Sequence, residues 1–62
     1  MESITTIYIQ ETFGPLVGVK TVRYNGYWLN DKQFVRIHDD GRKELREVTY
    51  FGSKCINFNY ED

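Results

Sequence analysis

Apolar and polar residues alternate along most of this chain, and no long stretch carries the three-and-four spacing of an amphipathic helix. Ile4-Thr5-Thr6-Ile7-Tyr8-Ile9-Gln10 is rich in β-branched residues and is predicted to form a first strand, with Ile7 and Ile9 facing one way. Phe13-Gly14-Pro15 breaks it, because proline cannot donate to a ladder. A second strand is expected from Leu16 to Tyr24. Val17 and Val19 fall on one parity there, and Val22 and Tyr24 on the other. That conflict calls for burial on both faces or for a bulge near Lys20-Thr21.

Asn25-Gly26 between two aromatic runs is a strong short-range hairpin signal, since a type I′ turn needs φ > 0 at both central residues. Such a turn sets Tyr24 opposite Tyr27, Arg23 opposite Trp28 and Val22 opposite Leu29. Val22, Tyr24, Tyr27 and Leu29 then share an inner face, while Arg23 and Trp28 share the outer one. A short third strand follows at Tyr27–Leu29, then a polar turn at Asn30-Asp31-Lys32 and a fourth strand at Gln33–His38.

Asp39-Asp40-Gly41 reads as a three-residue hairpin loop with Gly41 in the left-handed position. It pairs His38 with Arg42, Arg36 with Glu44 and Val35 with Leu45, and the opposed charges favour that register. A fifth strand runs from Lys43 to Phe51. It needs a change of face between Leu45 and Val48, met by a bulge near Arg46-Glu47 or by one helical turn over 44–48. Gly52-Ser53-Lys54 is read as the last turn. Ile56, Phe58 and Tyr60 alternate with asparagines in a final strand, Ile56 set against Tyr50 and Phe58 against Val48.

The expected fold is therefore all-β: a small curled antiparallel meander or partly open barrel of five to six short strands, SH3-like or OB-like in size. Sixty-two residues make one domain, 1–62. The chain begins with Met1 and reads as a complete small protein. A domain this small buries only roughly 60% of its unfolded surface and often relies on a disulfide or a metal. Cys55 is the single cysteine, and with His38 it cannot complete a four-ligand zinc site. No cofactor or metal is expected. The lone cysteine suits a reducing, intracellular (cytoplasmic) setting, and no run has the length of a membrane span.

Net charge is −1, yet all eight basic residues lie between Lys20 and Lys54, where five acidic ones leave a local excess of +3. That mild asymmetry offers a weakly positive face. Catalysis finds little support. His38 reads as an exposed residue flanking a turn, Asp39-Asp40 as turn formers and Cys55 as a buried or half-buried thiol, and the five glycines are scattered among turns. An enzyme is not expected. Binding remains, and two readings stand. In the first, a small inhibitor, adaptor or regulatory accessory factor occupies a surface of a larger protein partner through Trp28, Arg23, Phe34, Arg36 and Tyr8, aided by an open sheet edge. Homodimerisation by the same edge is a variant. In the second, Lys20, Arg23, Tyr27, Trp28, Arg36, Lys43 and Arg46 hold nucleic acid on a small β-barrel, though the negative total charge weighs against it.

Overall fold

The computed structural model describes residues 3–61. It is all-β: β1 (Thr5–Thr12), β2 (Val19–Trp28), β3 (Gln33–Ile37), β4 (Lys43–Thr49) and β5 (Gly52–Asn57). They form one antiparallel sheet in sequential order, curled but not closed into a barrel. At one end the curl brings the two edge strands together, where Thr12 N–H donates to the Phe51 carbonyl at 2.9 Å.

The Asn25-Gly26 turn does not form. β2 runs straight through it, so the expected short strand at Tyr27–Leu29 is the end of β2 and five strands stand in place of six. Residues 19–26 of β2 pair with β1, Ile7 opposite Tyr24 and Ile9 opposite Val22. Residues 26–28 pair with β3, Tyr27 opposite Val35 and Trp28 opposite Phe34. Gly26 belongs to both ladders. A Cβ built on it would lie 1.7 Å from the Val35 carbonyl oxygen. The glycine therefore serves close approach, and it has no left-handed φ. The reversal falls instead at Asn30, whose Oδ1 accepts the backbone N–H groups of Lys32 and Gln33, both at 2.9 Å.

This continuity re-sorts the side chains. Arg23 and Trp28, five positions apart on one strand, point to opposite faces. Ile7, Ile9, Tyr24 and Phe34 form the buried core cluster, with Val22 and Val48 packed against it. Phe34 meets Tyr24 and Trp28, with ring centroids 5.3 Å away in each case. Tyr27 lies on the reverse face, also buried, in a row with Val35 and Leu45. Leu29 is outside the strand and exposed.

The β3–β4 hairpin has the expected register, with Arg36 opposite Glu44 and Val35 opposite Leu45. His38 N–H donates to the Arg42 carbonyl and Gly41 takes φ +91. Other expectations give way. β2 starts only at Val19, and its pairing to β1 is unbroken at Lys20-Thr21. The parity conflict resolves because Val17 and Val19 are exposed. Residues 44–48 are strand, with no helical turn. β4 needs no change of face, since Glu44, Arg46 and Val48 turn to the core side. The register shift falls beside Leu45-Arg46, and the extra residue is Ile56 of β5. The last turn is Tyr50-Phe51, which pairs Thr49 with Gly52 and Val48 with Ser53. Ile56 therefore does not face Tyr50, and Phe58 lies beyond β5.

Gly26→Ala tests this account. A type I′ turn would tolerate a methyl group with a loss of about 1 kcal/mol. A methyl forced onto a backbone oxygen should cost about 3 kcal/mol or more. Urea denaturation of the variant should show a midpoint lowered by more than half, given total stability of roughly 5 kcal/mol for so small a domain.

Candidate functional site

Three features of the surface and its margin bear on function. The first is an apolar pole. Phe13 N–H donates to the Gly18 carbonyl and Gly18 N–H to the Gly14 carbonyl, and both glycines take positive φ. This tight loop lifts Leu16 and Val17 to its apex. Leu16 is 100% exposed, and Phe13, Val17 and Val19 are exposed beside it. The Thr12–Phe51 hydrogen bond fixes the Tyr50-Phe51 turn next to the loop. Tyr50 is 94% exposed, Phe51 is exposed, and their rings meet edge-on at 5.1 Å. Contiguous exposed apolar side chains mark interaction sites far more often than scattered ones do.

The second feature is a charge network on the core side. Glu44 is only 3% exposed. Its carboxylate meets His38 Nε2 at 2.8 Å, Arg46 through Nη1, and Arg36 Nη1 at 3.7 Å. Arg46 also donates from Nε to Ser53 Oγ and from Nη2 to the Ser53 carbonyl, both at 2.9 Å. Its guanidinium lies over the Tyr24 ring, as does that of Arg36. The Tyr24 hydroxyl donates to Glu11. Burial, then that bond, pushes the hydroxyl above its ordinary value and keeps it a donor. Burial also pushes the Glu44 carboxyl up, but hydrogen bonds from Cys55 and His38 and the Arg46 charge outweigh it and hold it below its ordinary range. Cys55 is exposed, and desolvation together with Glu44 pushes its thiol up, away from the reactive thiolate. His38 is half-buried in this network, and no longer a free turn residue.

The third feature is a polar cleft of about 330 Å³ where β2 and β3 separate beyond Gly26. Arg23, Asn25, Arg36, His38 and Asp39 line it, closed by the Arg42–Asp40 pair. The Arg42 backbone N–H and guanidinium hold the Asp40 carboxyl below its ordinary range.

The residues singled out in the sequence are dispersed by this fold. Tyr8 and Arg23 are cross-strand partners, and both are exposed. Trp28 is 42% exposed with one edge on Phe34. Phe34 is completely buried and presents nothing to a partner. Arg36 is half-committed to Glu44. Of the residues expected to hold nucleic acid, Tyr27 is buried, Lys43 lies over its ring at 5.6 Å, and Arg46 is spent in the network. Lys20 is exposed, opposite Glu11 and on the other parity from Arg23. The pole was missed because Leu16 and Val17 read as strand residues. The available signal was Gly14 and Gly18 bracketing an apolar pair.

Two outcomes follow. Trp28→Ala should lose roughly 1–2 kcal/mol, the ring contact plus partial burial, and remain folded in urea titration. Glu44→Gln should lose roughly 2–3 kcal/mol at pH 7. Because the folded carboxyl titrates below its ordinary 4.5, the stabilisation is complete above that pH and fades as pH falls through the depressed value. Thermal melts should therefore show wild type and variant converging in acid. Compared with protein-family models, curated proteins and solved structures, the chain matches none.

Proposed function

We propose that this chain is a non-enzymatic binding protein that acts by occupying a surface of a larger protein partner, with the apolar pole as its docking face. The observation that carries this reading is the clustering of Phe13, Leu16, Val17, Tyr50 and Phe51 at one end, exposed and held by backbone hydrogen bonds. Leaving such side chains in water forfeits about 1.5–3 kcal/mol each, which a concave apolar site on a partner would return. A convex knob led by Leu16 and rimmed by aromatics suits that geometry. The exposed, neutral Cys55 fits a reducing intracellular setting. Nucleic acid has less in its favour, because Glu44 already engages Arg36 and Arg46 and the aromatic Tyr27 is buried.

Affinity capture from extracts of the expressing cells tests the reading, using wild type, the Leu16→Asp/Phe51→Asp double variant and a Thr21→Asp control. A protein held by wild type and control should be lost with the pole variant, its affinity falling at least about thirtyfold, equal to the ~2 kcal/mol of one buried leucine. Equal capture by the pole variant would overturn the assignment. So would light scattering that finds a wild-type dimer broken by the pole variant, or salt-sensitive oligonucleotide binding that the variant retains.

A further inference from the structure

The two edges of the sheet are defended differently. β5 is short, its pairing with β4 is interrupted at the extra residue Ile56, and it carries Lys54. A bulge and a lysine are common means of blocking an exposed strand edge. β1 has neither. Its register with β2 is unbroken from Thr5 to Thr12, and residues 3–10 hold no proline and no charged side chain.

The direction of the free backbone groups on β1 follows from one bond. Thr12 N–H donates away from β2, to the Phe51 carbonyl. Residues of an antiparallel strand alternate between backbone groups turned to the paired strand and groups turned away from it. Thr6, Tyr8 and Gln10 share the parity of Thr12, so their N–H and C=O groups also point outward. Among the described residues those groups have no backbone partner. Unpaired groups in a row are a template for another strand.

The side chains select the strand. Residues 6–10 run Thr-Ile-Tyr-Ile-Gln, nearly the same in both directions. A second copy turned about a twofold axis at Tyr8 sets Tyr8 against Tyr8, Ile7 against Ile9 and Thr6 against Gln10. Each meets a residue of its own kind, and no like charges stand opposed. The outward groups of Tyr8 make it a hydrogen-bonded pair at the axis. The overlap runs from Thr5 to Glu11 and stops short of Thr12, already bonded to Phe51. The cation beside Tyr8 is Arg23, its exposed cross-strand partner. Across the axis the two copies of that arginine lie three strand spacings apart, about 14 Å. That exceeds the screening length of about 8 Å at physiological salt.

We infer that the outer edge of β1 is a self-association site, where a second copy of this chain pairs antiparallel through Thr6, Tyr8 and Gln10 about a twofold axis at Tyr8. The sheet then runs on through both copies. Because the two β1 strands oppose, the apolar poles that follow them point to opposite ends of the dimer. Resting on the docking role proposed for the pole, the dimer presents two docking faces where the monomer has one.

Light scattering of the full chain from about 10 μM to 1 mM, with amide hydrogen exchange at both ends of that range, tests the inference. A dimer should form with Kd on the order of 100 μM. Exchange at Thr6, Tyr8 and Gln10 should slow as concentration rises, while exchange along β5 stays constant. Tyr8→Lys alters an exposed side chain, so the monomer should keep its urea midpoint. It sets like charges opposite each other and should weaken the dimer about tenfold or more. Gln10→Pro removes an outward N–H that the β1–β2 ladder does not use, and should weaken it as well. Tyr8→Phe and Leu16→Asp/Phe51→Asp should leave it unchanged. A chain still monomeric at about 1 mM would overturn the inference. So would a dimer indifferent to Tyr8→Lys, a dimer lost with the pole variant, or protection of β1 that appears only when a captured partner is added. If the chain stays monomeric while partner capture still depends on the pole, the edge assignment alone falls.

Discussion

The sheet depends on one close approach, the passage of Gly26 under the Val35 carbonyl. At that point β2 leaves β1 and joins β3, and any side chain would occupy the space of a backbone oxygen. The core follows from it. Ile7, Ile9 and Val22 come from the first ladder, and Phe34 with Trp28 from the second. Tyr24, the last core residue before the crossing, touches both groups, and Tyr27, just after it, seals the reverse face with Val35. A chain with no disulfide among its described residues, and few large buried side chains, gains most when a single strand serves two ladders.

The core face is also unusual in what it holds. Glu44 and Arg46 alternate with Leu45 so that their charges, and not an apolar pair, point inward. A buried carboxylate is tolerable only when fully engaged, and Glu44 has His38, Arg36 and Arg46 around it. Arg46 is steadied in turn by Ser53 and by the face of Tyr24. No buried side-chain polar atom among the described residues lacks a partner. Of the eight basic residues, this network takes up two, Arg36 and Arg46. It also ties β3, β4 and β5 to one another near the sheet's open side.

The crossing at Gly26 and the curl of the sheet generate the two surfaces of interest. The curl brings the β4–β5 turn against the β1–β2 loop and so gathers apolar residues from distant parts of the sequence at one pole. The splaying of β2 from β3 opens a cleft whose walls are charged. One is apolar and exposed, the other a polar cleft.

The chain by itself determined the class of structure. Alternation of Ile7 and Ile9, the Asp39-Asp40-Gly41 loop and the Arg36–Glu44 pairing are local or nearly local, and period-two patterning with turn chemistry specifies them. Tertiary structure decided what Asn25-Gly26 is for. Glycine serves both a left-handed turn and a close backbone contact, and the choice depends on whether β1 and β3 are present to pair with an unbroken β2. Every inner or outer assignment downstream followed from that choice, so Phe34 passed from candidate surface to interior, Tyr27 moved to the reverse buried face, Leu29 left the inner set for solvent, and Arg23 and Trp28 parted. The pole and the charge network were hidden for the same reason. Exposure of Leu16 and burial of Glu44 are set by partners far away in sequence, and a side chain's own polarity does not report them.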